Sequence, residues 1–318
     1  MSGFPLFDTP ASFDRAGLAE KLRRLASEHV WLGTSSWKYE GWLGQIYTRE
    51  RYLTRGRFSK RAFEAECLKE YAETFPIVCG DFSFYQFPSE EYWRKLFLSA
   101  PAELRYALKV PEEVTVKVFP DHARYGARAG LENPTFLDTH LLEDAFLRPL
   151  EPYRSQLSAL IFEFGTFSQK NYETAQRFVE DLDQFLAALP AGFRYSVEIR
   201  NPEYLGPEYL GCLRAHNVAH VLNAWDRMPG VGAQLAVPGI FTSDFTVCRA
   251  LLRRGRAYAK AVELFTPYDR VQEPLPQTRE ALRELIRRAR EHRIEAFIFV
   301  NNRLEGNAPE TIRAIVED

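Results

Sequence analysis

Eight short runs rich in β-branched and aromatic residues punctuate this chain, and segments of helical periodicity fill most of the intervals between them. Strands that alternate with helices pair in parallel, because each crossover returns the chain to the same end of the sheet. The runs fall at residues 30–34, 77–82, 105–110, 159–164, 194–199, 219–223, 245–249 and 296–300. Helical periodicity marks 63–74, 90–98, 141–150, 172–188, 208–215, 279–292 and 310–316, with a shorter helix at 256–265. Asp14 is a candidate N-cap for a further helix at 18–27, placed to close the bottom of a barrel. Eight such units predict an α/β fold, a single (β/α)8 TIM-type barrel. One domain would take in residues 1–318, with 1–28 as an N-terminal extension and helix packing on the barrel.

Loop lengths support the same architecture. Helix-to-strand links are short, whereas three strand-to-helix links are long, at about 35–59, 111–139 and 224–243. In a closed βα barrel the strand-to-helix loops all emerge at the C-terminal face, where sites are built. Long loops in compact domains are commonly lids or binding loops.

Polar residues gather at those strand ends. Thr34 and Ser35 offer hydroxyls after the first strand, with Trp37 beside them as a stacking face. Asp81 follows strand residues that should be buried, so it needs a partner; Tyr85 adds a hydroxyl. Lys109 ends the third strand among apolar neighbours, where it must pair with a carboxylate or be poised for chemistry. Glu163 interrupts the fourth. Glu198 and Arg200 are two apart on the fifth and so share a face, which should be the pocket mouth rather than the helix layer. Asn223 and Trp225 follow the sixth strand, Arg249 lies in the seventh, and Asn301 and Asn302 follow the eighth. Such a ring is either a ligand site or a satisfied ion network plugging the barrel mouth.

The first long loop also carries Lys38, Arg49, Arg51, Arg55 and Arg57 among aromatics, a mixture that suits an anionic or planar ligand, or a solvated surface. The formal net charge of −2 gives no global attraction to nucleic acid or anionic lipid. No apolar run approaches the ~20 residues of a membrane span. Residues 1–13 lack the basic and apolar regions of a signal peptide, so a cytoplasmic chain with no membrane partner is expected. Cys67, Cys79, Cys212 and Cys248 form no C-x-x-C pair and read as free buried thiols. None of the six histidines ends a strand and there is no H-E-x-x-H, so a histidine-built zinc site is not expected. The cofactor alternative is a divalent metal on Asp81, Glu163 or Glu198. No G-x-S-x-G and no P-loop occur.

The ordered set Gly33-Thr34-Ser35-Ser36-Trp37 with Gly41-Trp42, Ser83-Phe84-Tyr85, Lys109-Val110-Pro111, Glu198-Ile199-Arg200-Asn201-Pro202 and Phe299-Val300-Asn301-Asn302 resembles the YecE-like family of βα barrels, a domain-of-unknown-function family. The resemblance runs from about Trp31 to about Pro309 and implies a TIM-type barrel without implying a reaction. This chain departs from the family pattern at Ser36, where glycine is common. It departs again at Cys79 and Asp81, where a glutamate and an asparagine are expected. After Arg249 the run Ala250-Leu251-Leu252 replaces a Leu-His-Gly, so no histidine matches there.

Two functions fit these residues. The first is an enzyme, a hydrolase or lyase, acting by acid/base chemistry on a small polar or anionic metabolite, sugar or nucleotide derivative. Glu198 would be the general acid/base, Asp81 the second carboxylate, and Lys109 a base or a stabiliser of negative charge. Arg200, Asn301 and Asn302 would position the ligand. The alternative is a non-catalytic barrel that binds an anionic ligand or single-stranded nucleic acid through the basic first loop. No sequence feature fixes an oligomeric state.

Overall fold

Barrel strands are buried on both faces, against each other's inner side chains and against the helix layer, which is why they read as near-continuous apolar runs. The computed structural model describes residues 13–317; the first twelve residues of the expected N-terminal extension lie outside these. The barrel strands are β1 (Val30–Thr34), β2 (Ile77–Gly80), β3 (Arg105–Lys109), β4 (Leu157–Glu163), β5 (Tyr195–Glu198), β6 (Ala219–Ala224), β7 (Phe245–Ala250) and β8 (Glu295–Val300). All pair in parallel in chain order and close into a barrel, with β1 against both β8 and β2. The fold is therefore the expected α/β TIM-type barrel.

The helices include α1 (Arg15–Ser27), α2 (Lys60–Tyr71), α3 (Glu90–Leu98), α4 (Thr139–Leu142), α5 (Ala175–Ala187), α6 (Pro207–Ala215), α7 (Val231–Leu235), α8 (Tyr258–Phe265), α9 (Pro276–His292) and α10 (Ala308–Val316). Asp14 caps α1 as expected, accepting from the Gly17 N–H at 2.9 Å. Arg15 then bonds Thr74 at 3.1 Å and Glu70 at 2.8 Å, tying the start of α1 beside the entry to β2. Several expectations change. The link read as loop at 35–59 holds an antiparallel hairpin of Leu53–Thr54 with Arg57–Phe58, and that at 111–139 holds a helical turn at Glu112–Thr115. The helix read at 141–150 is three pieces: α4, a π turn over Glu143–Leu147, and Arg148–Leu150. Pro149 has no N–H to continue the α ladder. The link read as unbroken loop at 224–243 contains α7, whose five residues among Pro229, Gly230 and Gly232 are too few to show a period.

The barrel interior is layered by the period-2 alternation of each strand. At the N-terminal end Glu295 accepts from Trp31 Nε1 at 3.0 Å and Arg105 at 3.1 Å, and also pairs with Arg194. Above it lie apolar side chains, among them Ile161, Val221, Val247, Phe297 and Phe299. One step further along each strand the inward position is polar. Those positions are Ser35, Asp81, Lys109, Glu163, Glu198, Asn223, Arg249 and Asn301, one within a residue of the end of each of the eight strands.

Closure depends on Gly33. A Cβ there would stand 1.9 Å from the Ile77 carbonyl oxygen, on the seam where Thr34 meets Val78. Gly33→Ala must therefore separate β1 from β2, and urea unfolding should show a loss of at least about 1–3 kcal/mol; an unchanged midpoint would show that the seam yields freely.

His220 sits on the outer face of β6, buried, with Nδ1 sharing a 3.1 Å hydrogen bond with the Tyr209 hydroxyl. Burial pushes its imidazole pKa down to about 4. The unfolded chain takes up that proton near pH 6.5. The stability this histidine contributes is thus complete above about pH 6.5 and falls away toward pH 4. Urea midpoints measured across this window should decline less steeply in His220→Gln than in the parent protein; equal slopes would assign the decline to other groups.

Candidate functional site at the C-terminal end of the barrel

Register places Glu163 of β4 directly beside Glu198 of β5, and Asn223 of β6 beside Arg249 of β7. Adjacent like charges repel, and Arg249 resolves the conflict. Its Nη1 pairs with both Glu163 and Glu198, at 2.5 Å to Glu198 Oε2, and its Nη2 reaches Asp81 Oδ1 at 2.8 Å. Glu163 Oε2 also meets Lys109 Nζ at 3.1 Å and Arg200 Nη2 at 3.0 Å. Arg200 Nη2 lies 2.6 Å from Glu198 Oε1, an ion-pair contact too poorly angled to count as a hydrogen bond. Lys109 approaches Asp81 at 3.9 Å. Three carboxylates thus meet three cations, and their formal charges cancel.

Depth separates the members. Glu198 and Arg249 are at most 1% exposed, whereas the side chain of Asp81 is 34% exposed. Burial pushes the Glu163 carboxyl up, but Lys109, Arg200 and Arg249 outweigh it and hold the group well below its ordinary range. Burial lowers the Arg249 guanidinium's affinity for its proton, yet Glu198, Asp81 and Glu163 raise it well above the usual arginine value. Two buried donors, Arg200 Nη1 and Arg249 Nε, have no hydrogen-bond partner among the described residues. Aromatic faces cover the cations: Lys109 Nζ lies 3.5 Å from the Phe84 ring centroid, and the Arg200 guanidinium 4.1 Å from that of Trp225.

The other expected site residues divide into two groups. Ser35 is buried, and Trp37 packs edge-on against Phe82; Ser35 Oγ and Trp37 Nε1 have no hydrogen-bond partner among the described residues. Asn223 donates to the Ile199 carbonyl at 3.1 Å and leaves Oδ1 free of partners. Tyr85 is 60% exposed beneath the Arg124 guanidinium. Thr34, by contrast, bonds Ser36 O and Tyr71, and Asn302 accepts from Trp42 Nε1 at 3.2 Å and the Ala308 N–H at 2.8 Å. Asn301 caps the turn that follows β8 through the Arg303 N–H at 3.0 Å. These three side chains tie loops to the barrel.

Sequence reasoning passed over Phe84 as a cover for Lys109 and Gln234 as an anchor. Gln234 on α7 accepts from the Asn223 N–H at 3.2 Å and donates to its carbonyl at 2.7 Å, fixing the end of β6. The Ser83-Phe84-Tyr85 run held a signal for the first; the brevity of α7 hid the second. A cavity of about 610 Å³ has Trp225, Met228 and Leu252 among its walls and meets the ring through Trp225, which covers Arg200; no ring side chain lines it.

The ring carboxylates do not suit a divalent metal. Each already faces at least one guanidinium or ammonium, and the cluster carries no net negative charge to offset a second cation's desolvation.

Arg249→Met would leave Glu163 and Glu198 side by side with less compensation and should cost about 3–5 kcal/mol in unfolding experiments. Adding Glu198→Gln should recover part of that loss, because the two residues are coupled. Strict additivity of the two changes would show that Arg249 is not what reconciles the carboxylates.

Residues 31–318 match the family described as "Protein of unknown function DUF72". A DUF72 family protein from Thermotoga maritima is similar in structure, with a TM-score of 0.59 at 21% identity over 91% of this chain and 99% of its own. A DUF72 family protein from Enterococcus faecalis gives 0.56 at 16% identity, over 91% and 96% of the two chains. Among curated proteins no match is found. The solved relatives share the barrel, the profile covers nearly the whole chain, and this chain belongs to the DUF72 family.

Proposed function

We propose that the strand-end ring is the active site of an enzyme that performs acid/base chemistry on a small polar ligand bearing an anionic or oxygen-rich group. One observation carries the reading: a buried, unpartnered Arg200 Nη1 lies in the same network as a carboxylate, Asp81, that solvent reaches. Arg200 and Lys109 would hold the acceptor group, and Asp81 would exchange the proton. Glu163, held ionised by its three cations, would serve as an electrostatic anchor rather than a proton donor. Glu198, assigned the acid/base role from sequence, is fully buried with one oxygen on each of two arginines, and its role becomes positioning. Trp225, Phe84 and Tyr85 would flank the ligand with apolar faces and exclude water.

The basic first loop supports nucleic-acid binding poorly. Arg51 pairs with Glu70 and Glu73 at the far end of α2, and Arg49 lies over Phe58 at 5.0 Å, so part of that charge is turned away from the ring.

The test is a thermal-shift and turnover screen over phosphorylated sugars, sugar acids, nucleotides and oligonucleotides. A ligand at a hundred times its dissociation constant should add about 2.7 kcal/mol. Asp81→Asn should keep that shift and lower kcat by about 10²–10⁴-fold, whereas Arg200→Ala should lose the shift. A shift that survives Arg200→Ala but disappears when Arg49, Arg51, Arg55 and Arg57 are neutralised would overturn the proposal in favour of the basic loop. No shift with any compound would count against a small-molecule site.

A further inference from the structure

A second cluster of reactive side chains lies away from the ring, between α5 and α6. Cys212 and His216 are four residues apart at the end of α6 and so share one face of it. Asp183 faces them from α5. Its Oδ1 is 2.7 Å from His216 Nε2 and 3.8 Å from Cys212 Sγ, and one donor atom from each residue falls within 4.8 Å of the others. From these three groups we propose a zinc site, independent of the function proposed for the barrel mouth.

The donor set is that of zinc: one thiolate, one imidazole and one carboxylate, which bind at about 2.3, 2.0 and 2.1 Å. Tetrahedral geometry at those lengths separates the donors by about 3.4–3.6 Å. The observed pairs at 2.7 and 3.8 Å bracket that range and no pair exceeds 4.8 Å, so the ion enters with side-chain shifts on the order of 1 Å. Asp183 is free to make the shift, its side chain being 57% exposed, while Cys212 is 8% exposed and presents its sulfur from a fixed wall.

One carboxylate oxygen now serves both the thiol and the imidazole, a shared contact that an ion with three ligands would replace. The position also favours a cation electrostatically. His216 caps the C-terminus of α6, so the carbonyl end of that helix dipole faces the cluster, and Asp183 lies four residues before the end of α5 at Ala187. Three protein ligands leave a fourth position for water. The site lies near the entry to β6, at the opposite end of the barrel from the ring, and would tie together the helices that follow β4 and β5. Sequence reasoning sought histidines at strand ends or in H-E-x-x-H; a Cys-x3-His completed by a residue 29 positions earlier carries no such signature.

The test uses the full chain, stripped of metal and kept reduced. Zinc titrated against a chromophoric chelator should bind at one equivalent per chain. Cobalt(II) should give the intense visible bands of a tetrahedral ion with a near-ultraviolet thiolate charge-transfer band. Cys212→Ser, His216→Ala and Asp183→Asn should each weaken zinc binding, the first two by more than about a hundredfold. Circular dichroism and melting of each metal-free variant will show whether it is folded. A variant that fails to fold is replaced by Cys212→Ala or His216→Gln, with the same expected loss. Stoichiometric binding that survives all of these changes, a cobalt spectrum without the thiolate band, or no competition with the chelator would each overturn the site.

Discussion

The guanidinium of Arg249 is the constraint on which the barrel mouth depends. It stands at 1% exposure on β7 and pairs with carboxylates delivered by β2, β4 and β5. An isolated charge at that depth would cost far more than a domain's net stability, so the arginine and its carboxylates exist only as a set. The register of β4 on β5 makes Glu163 and Glu198 neighbours, and like charges so placed repel. One nitrogen between them relieves the repulsion. The same group reaches across the interior to Asp81, so the ring links strands that are not neighbours in the sheet.

The fold does not require such a ring. A buried ion network replaced by apolar side chains of similar volume is often as stable or more so, and the inner layer just below shows that this barrel packs apolar groups readily. The opposite end of the barrel gives a comparison within the molecule. There Glu295 is served by Arg105 and Arg194, whose side chains remain 35% and 42% exposed, so water shares the solvation of that cluster. At the ring, Arg200, Lys109 and Arg249 are nearly dry. Charges held dry and fixed in direction are the arrangement that stabilises developing charge without reorganising, which is the physical reason the proposed chemistry is placed at the ring end rather than at its counterpart.

How much of this was legible follows from periodicity. Inward positions recur every second residue; Asp81, Lys109, Glu163, Glu198 and Arg249 interrupt apolar strands at that spacing, so their convergence could be expected before any coordinates. The Glu198–Arg200 spacing likewise correctly implied one face, and the two side chains meet at 2.6 Å. Depth was not legible, because it depends on how far each strand runs before its loop turns. β2 stops at Gly80 and leaves Asp81 open, whereas β5 carries Glu198 to its last position beneath two arginines. The loop-tying bonds of Thr34 and Asn302 were hidden for another reason. Small polar side chains serve backbone turns as readily as ligands, and their sequence neighbours are the same in both cases.

The neutrality of the ring bears on what it can bind. With three positive and three negative groups in contact, no net field draws an anion from a distance, unlike the patches that bind a nucleic-acid backbone. Selectivity must come at short range. A ligand group that accepts a hydrogen bond from Arg200 Nη1 satisfies a donor that is otherwise buried without one, and leaving such a donor unmet costs about 1–3 kcal/mol. A ligand without that acceptor pays the same desolvation of the mouth and leaves the donor unmet. That discrimination is of the same size as one methylene against apolar walls, about 1–3 kcal/mol, but unlike fit it is directional. The ring is therefore better suited to recognising a particular polar group at a fixed angle than to gathering negative charge in general.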